Sequence, residues 1–487
     1  MSNRRIHRCA KSTLIILFIS MTVFFMPKVL HATEYSSQNQ KHLSDVAAIA
    51  AGEWAVYAVK KDGSVWVWGG MRNSGLIGNG YTVPSESPVR MKMDGAVDVA
   101  SGTKHALILK KDGTVWATGS NVDGQLGIDV SSAETVLDPV QIESLRDIKA
   151  IAAEGDQSLA LQADGTVWQW GRTDRVNTPS FKPIKVEGLP SGISIAAGYG
   201  SAMILDSKGN VHVWGTLLYE TNPDKLRKPT IISGLMESTE IATLEQRAAA
   251  LTEDGTLWTW NNSKMYPTPG KLLNPTKVVN ADGVRQVAGG TGSSFSLIKD
   301  DGTVWMWDSY WDKPAYTAVQ VPGIKNALDI ANSQFRGQYA LLENGTVVKW
   351  TVDSLGKPSV PVFVKAPINV QLNDETLSLV VPPIIINNIS YVPLRGVFEY
   401  IGATIKWNQG SFTSVVKKDD IIIEIHAPSE EIRLNGRSLP EELKPKVIND
   451  VTMVPIRFIS ETLGAEVKWI PDSNTIHISI PQKYNHS

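Results

Sequence analysis

The chain has 487 residues, with 47 Lys and Arg against 49 Asp and Glu, and a single cysteine, Cys9. One cysteine excludes a disulfide scaffold and thiolate metal sites, and a chain of this length can be stabilised by its own core. The formal net charge is −2 and becomes about −7 without the basic N-terminal 32 residues; an acidic surface argues against a general nucleic-acid role, because such proteins present a basic surface to the phosphates.

The N-terminal 32 residues have the pattern of an export signal. A basic segment containing Arg4 and Lys11 precedes an apolar run over 13–26, and Ala32 offers a small residue for cleavage. The run is short for a membrane span, so we predict a signal peptide over 1–32 and no stable membrane span after its removal. The remaining chain would carry 42 basic and 49 acidic residues, a net charge of about −7. Retention of the segment as an anchor is the alternative.

One nine-residue phrase occurs seven times between residues 61 and 351. The first copy, 61–69, reads Lys-Asp-Gly-Ser-Val-Trp-Val-Trp-Gly, and the turn glycines of successive copies lie 43 to 52 residues apart. Asp-Gly or Asn-Gly between apolar runs predicts a tight hairpin turn. A strand-like segment precedes each hairpin and another follows it, which makes four strands per repeat. The sequence therefore predicts a mainly β fold, a seven-bladed β-propeller over 44–364. A solenoid, the weaker alternative, would need polar capping repeats.

Eleven of the fifteen tryptophans belong to this repeat. Two tryptophans at i and i+2 lie on one face of a strand. They favour packing between blades over the functional alternative, a ladder of rings that stacks on sugars. We expect the tryptophan at the first of these two positions to be largely buried in equivalent places, at Trp66, Trp116, Trp168, Trp258 and Trp305.

The second repeat has the clearest signature. It reads His105-Ala106-Leu107, then Lys-x-Asp-Gly-Thr-Val-Trp, and ends in Gly-Gln-Leu-Gly at 124–127. This pattern resembles the regulator of chromosome condensation repeat, over about residues 44–364. The blades are shorter than those of the eukaryotic nuclear member, and no long insertion resembles its exchange-factor wedge. The chain is therefore more similar to secreted bacterial propellers of this superfamily, one of which inhibits β-lactamases.

From residue 368 a different pattern begins, and it occurs twice with an offset of 62 residues. Val-Pro-Leu-Arg at 392–395 recurs as Val-Pro-Ile-Arg at 454–457, and Trp407 recurs as Trp469. In each copy a short helix should begin at the proline and stop at the following Gly-Ala pair, with strands after it. The sequence predicts a small α+β module with an internal duplication over 368–481.

This module resembles the stalk domain at the N-terminus of copper amine oxidases, which is common in secreted bacterial proteins. The resemblance implies no copper chemistry, because the copper and the modified tyrosine of the oxidase belong to a separate catalytic domain. No zinc spacing, Gly-x-Ser-x-Gly elbow, phosphate loop or calcium loop occurs elsewhere. We therefore expect no cofactor and no metal. The hairpin aspartates are interpreted as turn residues, and His105 and His212 as structural.

The loops that join the first two strands of each blade vary against a constant framework, as expected of a recognition face. These loops fall on one end of the propeller. The candidate partner-binding residues there are Glu53, Trp54, Lys104, Asp156, Tyr199, Glu245, Arg247, Phe335 and Arg336. A second candidate is Tyr310 with Trp311, two aromatics outside the repeat register that could anchor a partner. For any one of these residues, an ordinary solvated loop is the alternative.

The sequence as a whole predicts an exported, non-catalytic interaction protein, secreted or associated with the cell surface. The propeller would recognise an extracellular or surface protein or a cell-wall polysaccharide, but no nucleic acid, and the duplicated module would present or anchor it. One alternative is an extracellular lyase or hydrolase, which would need acid, base or metal ligands from several blades in the central funnel. Another is an inhibitor of an extracellular enzyme.

Overall fold

The computed structural model describes residues 41–128, 135–173, 179–215, 228–235, 237–244, 247–260, 275–290, 294–308, 317–354, 356–373, 375–377, 379, 381–386, 389–448 and 451–480. The predicted signal peptide over 1–32 lies outside these residues, as do Glu245, Tyr310 and Trp311.

Seven four-stranded antiparallel sheets follow one another through residues 46–363, each formed by four consecutive strands in chain order. The strands are β1 (Val46–Ala51), β2 (Ala55–Lys60), β3 (Val65–Gly69), β4 (Ser85–Arg90), β5 (Ala96–Ser101), β6 (His105–Lys110), β7 (Val115–Ser120), β8 (Thr135–Gln141), β9 (Ile148–Glu154), β10 (Gln157–Gln162), β11 (Val167–Gly171), β12 (Ser180–Lys185), β13 (Gly192–Gly198), β14 (Ser201–Asp206), β15 (Val211–Gly215), β16 (Thr230–Ile231), β17 (Ser238–Leu244), β18 (Arg247–Thr252), β19 (Leu257–Trp260), β20 (Thr276–Lys277), β21 (Val284–Ala288), β22 (Ser294–Lys299), β23 (Val304–Asp308), β24 (Val319–Gln320), β25 (Ala327–Ser333), β26 (Gly337–Leu342), β27 (Val347–Trp350) and β28 (Val362–Phe363).

The repeated phrase forms the hairpin between the second and third strands of each sheet. In the first sheet, Asp62 Oδ1 accepts hydrogen bonds from Ser64 N at 2.9 Å and Ser64 Oγ at 2.6 Å. These bonds hold the pKa of Asp62 below its usual range. Asp112 and Asp301 make the same pair of bonds to the threonine two residues later. The hairpin aspartates are therefore turn residues, because side-chain capping of this kind fixes the turn backbone.

At six of the seven junctions the turn glycine also joins one sheet to the next. Ala96 N, at the start of the second sheet, donates a hydrogen bond to Gly63 O at 3.0 Å. Val46 N donates to Gly345 O at 3.1 Å, so the seventh sheet is joined to the first by the same bond. The turn glycines that accept it at other junctions are Gly113, Gly165, Gly209 and Gly302. The sheets thus form a closed ring, and the predicted mainly β propeller arrangement is confirmed.

Apolar side chains fill the space between neighbouring sheets, and a separate cluster lies at each junction. The second tryptophan of the repeat belongs to this core: Trp170 is fully buried and Trp68 is 5% exposed. The first tryptophan is only half-buried, at Trp66, Trp116, Trp168, Trp258 and Trp305. These five tryptophans occupy equivalent places, as expected, but their burial is partial. Each lies beside the hairpin turn. A lysine covers the ring at Trp66, Trp116 and Trp305, in the last case at 4.1 Å, whereas Trp168 Nε1 donates to Gln162 Oε1 at 2.9 Å.

The C-terminal module contains three sheets and one helix among its described residues. The strand orders are β30-β29-β41-β40, β31-β32-β39-β38 and β33-β34-β35-β36-β37. The elements are β29 (Asn369–Leu372), β30 (Glu375–Thr376), β31 (Ile384–Ile386), β32 (Ile389–Pro393), β33 (Thr404–Asn408), β34 (Thr413–Lys418), β35 (Ile421–His426), β36 (Glu431–Leu434), β37 (Arg437–Ser438), β38 (Lys446–Ile448), β39 (Val451–Pro455), α1 (Ile456–Thr462), β40 (Glu466–Ile470) and β41 (Thr475–Ser479), with 3-10 turns at Glu441–Leu443 and Pro471–Ser473.

The two copies of the module exchange strands and share one core. β29 of the first copy pairs in parallel with β41 of the second, and β32 pairs with β39. The helix predicted for each copy forms only in the second, as α1. In the first copy residues 394–402 form turns, because Gly396 has a φ of +82°, which an α-helix cannot contain. Its apolar stripe is nevertheless buried, with Val397 and Phe398 fully inaccessible.

At the turn glycines, we expect the clash of an added Cβ with the neighbouring chain to reduce the free energy of unfolding more than the left-handed backbone does. A Cβ on Gly209 (φ +77°) would lie 2.7 Å from Glu237 Cα, whereas one on Gly234 (φ +84°) would meet nothing within 4 Å. Gly234→Ala should cost about 1 kcal/mol for the left-handed backbone, and Gly209→Ala about 3 kcal/mol, because overpacking adds to it. Urea unfolding of both variants measures the two losses of stability. Equal losses would contradict a close approach of the neighbouring sheet at Gly209.

Candidate functional site

The loops between the first and second strands lie at the end of the ring opposite the hairpin turns. At the junction of the seventh and first sheets, the rings of Trp54 and Phe335 stack with centroids 4.1 Å apart. Phe335 N donates to Glu53 O at 3.3 Å, which fixes the two loops together. Phe335 is 52% exposed. The structure thus brings three of the predicted residues into one ordered surface with an accessible aromatic ring.

Arg336 holds this surface in place. Its Nε donates to Trp54 O at 3.0 Å and one terminal nitrogen donates to Gly70 O at 3.1 Å. The other terminal nitrogen lies 2.7 Å from Glu86 Oε1, and the arginine side chain is only 20% exposed. The guanidinium is therefore engaged in joining the seventh sheet to the first, and it positions the aromatic pair.

A second group of predicted residues surrounds Asp156 on the third sheet. Gln125 Nε2 donates to Asp156 Oδ1 at 3.3 Å. Burial raises the pKa of Asp156, Asp123 and Glu53 raise it further, and Lys104 and Arg172 oppose this. Glu53 of the first sheet is thus among the charges that act on the Asp156 carboxyl of the third sheet. Charged residues of both signs, from three sheets, therefore lie at this end of the ring.

Tyr199 extends the same end to the fourth sheet. A Cβ on Gly155 would lie 3.0 Å from Tyr199 Cδ2, so the phenol ring packs over the loop that carries Asp156. Tyr199 is 44% exposed. Arg247 is half-buried and begins β18 of the fifth sheet, at the same end. We call the surface formed by Glu53, Trp54, Lys104, Asp156, Tyr199 and Phe335 the loop face.

Three carboxylates that the sequence reasoning missed face the middle of the ring. They occupy the third position of the first strand in the second, fifth and seventh sheets, at Asp98, Glu240 and Asp329. Asp329 raises the pKa of both Asp98 and Glu240, although their sheets are not neighbours of the seventh. The Asp329 carboxylate lies between first strands of neighbouring sheets, because it accepts hydrogen bonds from Ile49 N of the first sheet and from Gln286 of the sixth. Aligning the repeats on their turn glycines places Asp98 and Glu240 in register, fifteen residues before Gly113 and Gly255, whereas Asp329 precedes Gly345 by sixteen.

These central carboxylates connect neighbouring first strands. Ile49 N donates to Asp329 Oδ2 at 3.3 Å, and Gln286 Nε2 donates to Asp329 Oδ1 at 2.9 Å. Val287 N donates to Glu240 Oε2 at 2.8 Å. Burial is the main cause that raises the pKa of Asp98 to about 6 and that of Glu240 to about 7. Each bonded carboxylate thus links adjacent sheets rather than standing open to a ligand.

His105 is buried and has a structural environment, as predicted. Its Nε2 lies 2.8 Å from Ser158 Oγ, which in turn donates to Gln125 O at 2.8 Å. Since the serine proton is given to the carbonyl, Nε2 carries the imidazole proton. Burial lowers the pKa of His105 to about 3, so the ring is neutral at physiological pH. It joins the second sheet to the third.

Within the described ranges, no group of three His, Cys, Asp or Glu residues is arranged to hold a metal ion. No helix in the same ranges is long and apolar enough to cross a membrane.

Two known domain types match the chain. Residues 62–109 and 112–161 match the regulator of chromosome condensation (RCC1) repeat, and a second model of that repeat matches 96–125. Residues 371–478 match the copper amine oxidase N-terminal domain. The chain carries RCC1 repeats followed by a copper amine oxidase N-terminal domain. The resemblances seen in the sequence are confirmed for both parts.

Curated relatives share the repeat part. The mouse E3 ubiquitin-protein ligase HERC2 is 30% identical over 345 residues, which is 65% of this chain but 7% of that protein. Protein pim1 of Schizosaccharomyces pombe is 25% identical over 275 residues, covering 53% of this chain and 46% of pim1. The chain thus spans less than half the length of either relative.

Solved structures agree on the fold. Prp20p from Saccharomyces cerevisiae superposes with a TM-score of 0.50 at 19% identity, covering 66% of this chain and 88% of that one. A chain in the crystal structure of Kap60 bound to yeast RCC1 (Prp20) gives 0.52 at 18% identity, covering 75% and 91%. The RCC1 propeller fold is therefore shared.

The raised pKa of Glu240 predicts a pH-dependent stability. Its pKa is about 7 in the folded chain and ordinarily 4.5, so the folded state gains stability as pH falls through 7 and the gain is complete near 4.5. Glu240→Gln keeps an acceptor for Val287 N and should unfold at a higher temperature than the parent at pH 8, with the difference vanishing near pH 5.

Thermal unfolding of both chains between pH 5 and pH 8 measures the difference in unfolding temperature. Both chains contain His105, so the effect of its titration cancels. Exposed Glu187 provides the matched control, since Glu187→Gln should follow the parent at every pH. A constant difference between Glu240→Gln and the parent would exclude titration of Glu240 as its cause.

Proposed function

We propose that this chain is an exported, non-catalytic interaction protein whose loop face recognises another protein outside the cell or at its surface. The observation that carries this is the exposed aromatic pair of Trp54 and Phe335, held rigid beside a field of both charge signs. Protein interfaces combine such features: aromatic anchors supply most of the binding free energy, and flanking charges set orientation. Yeast Prp20p, which shares the propeller fold, binds Gsp1p and histones, and this is one precedent for protein recognition by such a ring.

The second module fits the role of presenting the propeller, because it is attached at the junction where the ring closes. Lys41 Nζ donates to Asp472 O at 2.6 Å, and Asn474 Nδ2 donates to Pro367 O at 2.6 Å. Val83, in the connection before β4, packs against the apolar cluster of Tyr391 and Met453. These contacts hold the module against the propeller, while Tyr199 and Phe335 of the loop face are 44% and 52% exposed.

The central carboxylates bear on the enzyme alternative. A lyase or hydrolase site in the funnel would require an acid and a base that reach a substrate. Asp329 instead accepts hydrogen bonds from the main chain of two sheets, and Glu240 accepts one from a third. This engagement favours a structural role and supports a binding function for the protein.

Removing the two most exposed aromatics of the loop face should abolish partner capture without unfolding the chain. Each of Tyr199→Ala and Phe335→Ala should cost about 2 kcal/mol in binding and about 0.5 kcal/mol in stability. The tagged chain without 1–32 is used to capture proteins from culture medium and cell-surface extracts of the source cells, and proteins retained by the parent are quantified for the double variant.

The matched control replaces two exposed residues on the outer strands. Ile184 and Ile231 are 57% and 52% exposed and lie away from the loop face, so Ile184→Ala with Ile231→Ala should retain every partner. Equal capture by the parent and the Tyr199→Ala, Phe335→Ala variant would place recognition elsewhere on the molecule.

The export proposal is tested separately. In cells that make the full chain with a C-terminal tag, the product should be found outside the cytoplasm and begin at Thr33, because cleavage follows Ala32. N-terminal sequencing and fractionation measure both, and a chain lacking 1–32 is the control that should stay inside. A full-length product confined to the cytoplasm would refute export.

A further inference from the structure

The C-terminal module exposes two aromatic rings at the tip of the hairpin between β33 and β34. Trp407 is 44% exposed and Phe412 is 54% exposed. Their centroids lie 6.3 Å apart with the planes at 74°, so the two rings form a corner open to solvent. We call Trp407 and Phe412 the aromatic corner.

The internal duplication shows what the fold itself requires at these two positions. The offset of 62 residues relates Trp407 to Trp469 and Phe412 to Asn474. Trp469 is partly buried and packs against the core of the module. Asn474 is 4% exposed, and its Nδ2 donates to Pro367 O at 2.6 Å. In the second copy both side chains serve the structure, whereas in the first copy both are turned to solvent.

The backbone conformation at Phe412 adds to the contrast between the two copies. Phe412 has a φ of +49° and Asn474 a φ of +52°, so both copies use the left-handed conformation at this position. Both carbonyls are needed: Phe412 O accepts from Ala427 N at 3.1 Å, and Asn474 O accepts from Asn369 N at 3.0 Å. Asparagine tolerates this conformation, but a bulky aromatic residue is strained in it. An exposed phenyl ring that is retained despite strain points to a function outside the fold.

The surroundings of the corner indicate an uncharged partner. Residues 407–414 read Trp-Asn-Gln-Gly-Ser-Phe-Thr-Ser and contain no ionisable side chain. Asn408 Oδ1 accepts from Gly410 N at 3.0 Å and Ser411 N at 3.2 Å, which holds the tip rigid. Next to the tip, His426 Nδ1 lies 2.6 Å from Ser429 Oγ. Aromatic faces beside amide and hydroxyl groups suit a sugar chain, whose C–H faces pack on the rings while its hydroxyls exchange hydrogen bonds.

We propose that the aromatic corner binds a neutral polysaccharide. This deepens the anchoring role proposed for the module and is independent of the protein-binding loop face. Residues 407–414 offer a charged partner no counterpart, and the ionisable residues directly beside them, along the chain and across the paired strand, are Lys406 and His426, whereas a neutral sugar chain needs no counterpart. The corner would hold the module on a surface glycan while the propeller is presented to its protein partner.

Two variants of the corner test the assignment by titration calorimetry, with the chain lacking 1–32 and with cellohexaose and N-acetylchitohexaose as probes. Phe412→Asn restores the residue of the second copy. It should weaken binding of a probe about tenfold or more while its unfolding temperature equals or exceeds that of the parent, since backbone strain is removed. Trp407→Ala should weaken binding similarly. A structural role for Phe412 would instead lower the unfolding temperature.

The control is Tyr400→Asn, which changes another exposed aromatic of the module, 55% exposed, and should bind as the parent does. Parent-like binding by Phe412→Asn, or no binding of either saccharide to the parent, would overturn the proposal. Loss of a captured surface protein in Phe412→Asn, with no saccharide bound by the parent, would assign the corner to a protein and overturn it equally. The Tyr199→Ala, Phe335→Ala variant should bind saccharide normally, which separates this test from that of the loop face.

Discussion

The ring depends on the hydrogen bond between a hairpin glycine and the first strand of the next sheet. The glycine is required twice, for the positive φ of the turn and for the close approach of the neighbouring chain: a Cβ on Gly302 would lie 2.8 Å from Asn326 Cα. The approaching residue is itself left-handed: Asn326 has a φ of +56° and Asp45 one of +60°. Because Val46 N makes this bond to Gly345 O, closure of the ring needs no additional element. The constraint falls on one end of every sheet, which leaves the loops of the opposite end free to vary and to form a recognition surface.

Much of this architecture could be predicted from the sequence because it depends on local chemistry. Asp-Gly turns flanked by alternating residues specify hairpins, and their recurrence specifies sheets of equal size. The degree of burial at Trp66 and Trp168 could not be predicted. Alternation shows which face of the sheet a side chain occupies, but it does not show how close the side chain lies to the solvent-exposed end of the sheet. The first-copy helix failed for a reason visible in the sequence: Gly396 stands where the second copy has Phe458, and glycine releases the backbone to positive φ.

The central carboxylates were missed for a different reason. The first strand of each sheet contains a register shift near its start, as between Ala96 and Asp98 and between Ala327 and Asp329. A bulge of this kind re-aims the side chain that follows it, so simple alternation does not reveal which residues face the ring centre. The candidate loop residues, by contrast, were placed correctly at one end by topology alone. What topology could not show is that Arg336 is used in the junction of two sheets while Phe335 beside it remains exposed.

Repetition separates structural from functional residues without any alignment of relatives. Buried polar residues at the start of the second strands differ between sheets, and two of them join neighbouring sheets: His105 bonds to Ser158, and Gln157 Nε2 donates to Ser201 O at 2.6 Å. The residue types at these positions differ because different junctions between neighbouring sheets use different contacts. Phe412 differs from them, because it departs from its counterpart Asn474 at an energetic cost and gains no burial in return. In a folded chain such a cost persists only where the surrounding structure enforces it or selection maintains it. The hairpin enforces the backbone of Phe412, but nothing in the packing of the module requires its ring, and the explanation for that ring lies in what it contacts outside the chain.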